Sequence, residues 1–170
     1  MKHDLVLRNL RIIDPRDDVD KVADIGIAGG KIADIGSVAG GGSVLDLSGM
    51  ACIPGLIDVH VHLKQTHPDR AGMADLVREG TTTVLDMSGP IEGLLDDLRE
   101  FGCGLNVGIV EAGLPYVNLP GRKVDRAIIR DFVAQAVKNG AYGVKVLGGH
   151  YPFDPDTTLS LFQEANAERV

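Results

Sequence analysis

The chain has 170 residues, 44% of them hydrophobic, 24% charged and 4% aromatic, the make-up of an ordinary globular protein with room for one domain and a small appendage. A formal net charge of −7 without any basic run weighs against nucleic acid as a partner. No stretch approaches the roughly 20 apolar residues of a membrane span, Arg8, Arg11 and Asp14 interrupt any signal-peptide core, and Cys52 and Cys103 alone cannot make a disulfide framework, which suits a reduced, cytoplasmic setting.

Residues 1–52 read as short strands and glycine turns, a small β-sandwich segment built on an antiparallel sheet. Leu5–Ile13 is an apolar run stopped by Asp14-Pro15. Ile25 and Ile27 alternate with smaller residues, Gly29-Gly30 turns the chain, and Lys31–Ile35 returns as a hairpin. Val44–Leu47 adds a strand. Gly40-Gly41-Gly42 lacks the GK[ST] and following helix of a phosphate loop and reads as a turn, and His3 as a surface residue.

Residues 53–170 alternate strand and helix. Strands are predicted at Ile53–His62, Thr82–Met87, Leu105–Val110 and Gly143–Leu147. Helical spacing recurs in Ile91, Leu94, Leu95 and Leu98 before Gly102, and in Ile129, Phe132, Val133, Ala136 and Val137 before Gly140. A weaker pattern runs from Asp69 to Glu79, and Asp154-Pro155 suits a helix start. The fold class is therefore α/β: the first half of a (β/α)8 TIM-type barrel, usually about 250 residues, preceded by the small β-sandwich segment. The last helix reaches Glu168-Arg169-Val170 without a stop signal, so the chain is expected to be the N-terminal part of a longer protein, inactive alone.

The strongest chemical signal is Pro54-Gly55-Leu56-Ile57-Asp58-Val59-His60-Val61-His62. Period-2 alternation puts Asp58, His60 and His62 on one face of a strand, and two imidazoles one pleat apart at the C-terminal end of a barrel strand can converge on one ion. Imidazole suits zinc. The alternative is a pair of core histidines satisfied by hydrogen bonds, a costly arrangement on an apolar strand.

With this motif the chain resembles the amidohydrolase superfamily, in particular its dihydroorotase, hydantoinase and deacetylase branches. The resemblance implies a lysine on the fourth strand, carboxylated by CO2 and bridging two divalent ions, most simply zinc. Tyr142-Gly143-Val144-Lys145-Val146-Leu147 offers Lys145 for that role. Desolvation favours the neutral amine that attacks CO2; the alternative is a lysine snorkelling to solvent.

The resemblance also points to three substrate-binding candidates. Lys64 stands where relatives of the dihydroorotase type carry an arginine that grips a carboxylate, and a lysine gives a point charge without the bidentate fork. It weighs against dihydroorotase activity itself, and a solvated loop lysine is the competing reading. His150 stands at the spacing from Lys145 where hydantoinases carry a substrate-contacting tyrosine, with Tyr151 next to it; both serve equally well as loop packing. His67, beside Pro68, reads as a surface histidine, Asp86 and Glu111 at strand ends as caps or solvated groups, and both cysteines as small buried fillers.

What the resemblance implies is hydrolysis of an amide, a cyclic amide or imide, or a related ester, with hydroxide from metal-coordinated water as nucleophile. His60, His62 and the carboxylated Lys145 would be metal ligands, and the catalytic aspartate would lie outside these residues. The partner would be a small molecule, neither nucleic acid nor membrane, with a homo-oligomer left open. A mononuclear deaminase of the same superfamily and a non-catalytic scaffold homologue are the alternatives.

Overall fold

Residues 3–63 and 71–170 are described by a computed structural model, with Ala71 and Gly72 described in backbone only. Leu5–Asp14 (β1), dense in branched apolar residues, pairs antiparallel with Val19–Ala28 (β2). β2 turns through Gly29-Gly30 into Lys31–Gly36 (β3), the hairpin expected from the alternation. Ser43–Asp46 (β4) and Ala51–Cys52 (β5) both pair with β1 in parallel, so this is one mixed five-stranded sheet and not an antiparallel one. Residues 37–42 are the reason: they carry the chain across to the other side of β1, as parallel pairing requires. There Gly42 N–H donates to His3 C=O (2.8 Å) and Ser43 N–H to Asp4 C=O (3.0 Å). A Cβ on Gly41 would lie 2.9 Å from the His3 carbonyl oxygen, so the glycine run serves close backbone approach.

Leu10, Ile12 and Ile25 form the core of this sheet, with Cys52 half-buried against them. His3 is buried, contrary to the surface position expected for it, and its Nε2 lies 2.6 Å from Asp34 Oδ2 on β3. Cys103 is half-buried too, so both cysteines sit at the margin of a core and not inside one.

The chain divides into two compact units, Met1–Pro54 and Gly55–Val170. In the second, Leu56–Val61 (β6), Thr81–Asp86 (β7), Asn106–Gly113 (β8) and Gly143–Val146 (β9) form a parallel sheet in sequential order. The helices Ala71–Arg78 (α1), Ile91–Phe101 (α2), Arg126–Lys138 (α3) and Pro155–Glu168 (α4) follow one strand each. Four parallel β/α units in this order are the first half of a (β/α)8 barrel. β6 begins three residues later than expected because Pro54 has no N–H for a ladder and Gly55 packs against Thr82.

Amphipathic spacing on the helices makes two cores. Leu63, Met73, Val84, Ile91, Leu94 and Ile109 fill the first, and Leu119, Ile129, Val133, Leu161 and Ala165 the second. Asp154 caps α4 as its sequence implies, its Oδ1 accepting from the N–H groups of Asp156 (3.0 Å) and Thr157 (3.2 Å). Among the described residues no helix is long and apolar enough to cross a membrane.

Candidate metal centre

β6 carries the two histidines past a local irregularity. Its register with β7 runs Asp58↔Val84 and then Val61↔Asp86, so β6 spends one more residue than its partner just where His60 lies. Bulges of this kind re-aim side chains and recur beside active sites. Here the His60 and His62 rings stack with centroids 5.3 Å apart and planes 4° from parallel. Their Nε2 atoms are 3.3 Å apart. Two nitrogens each about 2.05 Å from one tetrahedral zinc ion lie about 3.3 Å apart, so the pair fits the donor geometry of a single ion. Asp58, on the same strand, has its Oδ1 occupied by the N–H of His60 at 3.0 Å. Among the described residues no group of three or more His, Cys, Asp or Glu side chains forms a metal cluster.

Lys145 is half-buried on β9, paired in register with Ala112 of β8. Its Nζ donates to the carbonyl of Met87 at 2.8 Å, crossing to the end of β7. Burial pushes the Lys145 amine below the ordinary lysine value, with the negative charge of Asp86 opposing the shift. A lysine so placed has more neutral amine at a given pH than a solvated one.

Of the two readings open for Asp86 and Glu111, caps or solvated groups, the structure bears out the first. Neither is solvated: Asp86 is fully buried and Glu111 is 4% exposed. Asp86 Oδ2 accepts from Leu63 N–H (2.7 Å) and Ser88 Oγ–H (3.0 Å), and its Oδ1 from Ser88 N–H (2.8 Å). Glu111 Oε2 accepts from Ile91 N–H (2.8 Å) and its Oε1 from Asn118 Nδ2–H (3.2 Å). Burial pushes the Glu111 carboxyl up, and these hydrogen bonds only partly offset it. The sequence offered one signal for both: an acid at the C-terminal end of a barrel strand, the end that carries function.

His150 and Tyr151 are exposed in the tight turn after β9, where both backbone N–H groups donate to Leu147 C=O. Lys64 and His67 lie outside the described residues. A cleft of about 310 Å³ lined by Glu92, Glu111, Asn118, Phe132 and Asn139 involves none of the candidate ligands.

The amidohydrolase family model matches residues 51–168. A dihydroorotase-like protein of Pseudomonas aeruginosa is 32% identical over 155 residues, 81% of this chain and 36% of that protein. A dihydroorotase of Streptococcus pneumoniae is 35% identical over 91 residues, 49% of this chain and 22% of that enzyme. The chain thus spans well under half the length of these curated relatives. Among solved structures, the N-acyl-D-glutamate deacylase of Bordetella bronchiseptica, complexed with zinc and a phosphonate inhibitor, matches 99% of this chain and 44% of its own at a TM-score of 0.79 and 20% identity. The L-hydantoinase of Arthrobacter aurescens matches 97% and 39% at a TM-score of 0.67 and 19% identity. The parallel strands run in barrel order, with the His-x-His pair at the end of the first and half-buried Lys145 on the fourth. The chain belongs to the amidohydrolase family.

Proposed function

We propose that this chain provides the first-strand and fourth-strand side of a metal-dependent amidohydrolase centre that acts on non-peptide C–N bonds, those of amides and cyclic amides or imides. The observation that carries the reading is the 3.3 Å approach of the two Nε2 atoms of His60 and His62. Family membership supports the reaction class, and the dihydroorotase, hydantoinase and deacylase names of the relatives support the substrate class.

His60 and His62 would hold one divalent ion, most simply zinc, and Lys145 as a carbamate would join it to a second. Such ions, when bound, supply a water of lowered pKa and polarise the scissile carbonyl. The chain's own contribution is positional. β6 presents two parallel imidazoles, and Lys145, whose amine burial pushes below the ordinary lysine value, donates to the Met87 carbonyl at the end of β7. Lys64, His150 and Tyr151 are the candidates for substrate contact, and a small molecule is the partner. A cytoplasmic setting fits the free cysteines.

Zinc content per chain, measured after dialysis against metal-free buffer, tests the reading together with 13C-bicarbonate NMR for a lysine carbamate. Two ions and a carbamate support the binuclear form. One ion with unmodified Lys145 moves the chain to the deaminase-like alternative, and absence of zinc binding overturns the metal-dependent reading.

A further inference from the structure

We propose that Asp86 is a positioning residue for the metal centre: through the end of β7 it fixes the strand end that bears His62, beside the peptide that anchors Lys145. This rests on the metal-dependent reading above. Asp86 is a fully buried carboxylate that accepts three hydrogen bonds, from Leu63 and Ser88 at the C-terminal rim of the sheet. It accepts the backbone N–H of Leu63, the residue directly after His62, at 2.7 Å. It also accepts both the N–H and the Oγ–H of Ser88. Between these two residues, Met87 N–H donates to Val61 C=O at 2.7 Å, and Met87 C=O accepts from Lys145 Nζ at 2.8 Å. The backbone on both sides of His62 is therefore bonded to Asp86-Met87, and the carbonyl of the same Met87 receives the fourth-strand lysine.

Gly89 closes the arrangement from the far side. It has φ +43°, and a Cβ there would lie 2.6 Å from both the backbone N and the Cβ of Ala112, the register partner of Lys145. The turn after Asp86 is thus pressed onto β8 where only glycine fits. A carboxylate that accepts several donors in a water-excluded place holds them more rigidly than a neutral group would. Groups that orient metal ligands from behind typically change metal affinity by about 10–100-fold when replaced. Asn at 86 keeps the shape but puts an NH2 donor in place of one acceptor oxygen, so it cannot satisfy the Leu63 N–H, Ser88 Oγ–H and Ser88 N–H together.

The test is zinc affinity by competition with a chromophoric chelator for the full chain and for Asp86→Asn, with the visible spectrum of the cobalt(II)-loaded forms. A folded Asp86→Asn chain that binds zinc about 10–100-fold more weakly, with a shifted cobalt spectrum, supports the proposal. Affinity within about twofold of the parent and an unchanged cobalt spectrum overturn it while leaving the metal-dependent reading intact. Failure of the parent chain to bind zinc overturns that reading and this inference with it. Should Asp86→Asn not fold by circular dichroism, Ser88→Ala decides, because it removes one hydrogen bond to Asp86 and leaves the backbone untouched. A weakening of about threefold supports the proposal, and unchanged affinity overturns it.

Discussion

Glu111 on β8 caps the helix of the preceding β/α unit: its Oε2 accepts the N–H of Ile91, the first residue of α2, at 2.8 Å. The local N-cap position is Pro90, which offers no side-chain acceptor. A carboxylate from a neighbouring strand thus satisfies a helix-start donor that the helix's own sequence leaves open.

Burial holds the Glu111 carboxyl above the ordinary range. As pH rises from that range to the raised folded value, the unfolded chain has released this proton while the folded chain keeps it. The Glu111 contribution is therefore full below the ordinary carboxylate value and declines as pH climbs through the window. Glu111→Gln should remove that decline, read as a flatter plot of urea-unfolding free energy against pH. Glu111→Ala, which strands the Ile91 N–H and takes away one of the two acceptors of the Asn118 amide, should cost about 1–3 kcal/mol.

Thr157 joins two loops by one hydroxyl, which donates to Asp154 Oδ2 (2.7 Å) and receives Val124 N–H (2.9 Å). Thr157→Val keeps the shape and leaves the Val124 N–H buried without a partner, so urea unfolding should show a loss of about 1–3 kcal/mol. Its bond from Thr157 holds the Asp154 carboxyl below the ordinary value, a contribution present above that value and lost as pH falls through the depressed one. That acid-side loss should shrink in Thr157→Val, and an unchanged acid limb would contradict the assignment.

His60→Ala and His62→Ala each remove one of two converging nitrogens. Zinc affinity should fall in both by more than the roughly 10–100-fold expected for a supporting residue. Equal affinity in either variant would place the ion elsewhere.

Lys145→Ala removes the only amine found at the Met87 carbonyl among the described residues. The carbamate resonance from 13C-bicarbonate should disappear in this variant. In the parent it should grow as pH rises, because CO2 adds to the neutral amine and burial has lowered the pH at which that form appears. A signal that survives Lys145→Ala belongs to another amine.

The alternation from Ile57 to His62 was readable because His60 and His62 stand one strand period apart, and Lys145 stood out as the lone charge in an apolar strand. Asp154-Pro155 announced α4 for an equally local reason. What escaped has distant partners. His3 is buried and meets Asp34 of β3, and Asp86 and Glu111 accept the backbone N–H groups of Leu63 and Ile91, which no residue type reports. The parallel placement of β4 was hidden for the same reason, since Gly41 reads as a turn until His3 is seen beside it.

That placement of β1 has a kinetic consequence. β2 and β3 close a hairpin within a few residues, whereas β1 acquires its partners Ser43–Asp46 and Ala51–Cys52 only after the intervening chain has turned back. Closing the larger loops costs more chain entropy before any contact repays it, so distant pairings form late. On the ribosome, β1 emerges ahead of the other strands of this sheet and is therefore the last of them to gain both neighbours: its Leu5–Arg8 stretch waits for residues 43–46 and Arg11-Ile12 for residues 51–52.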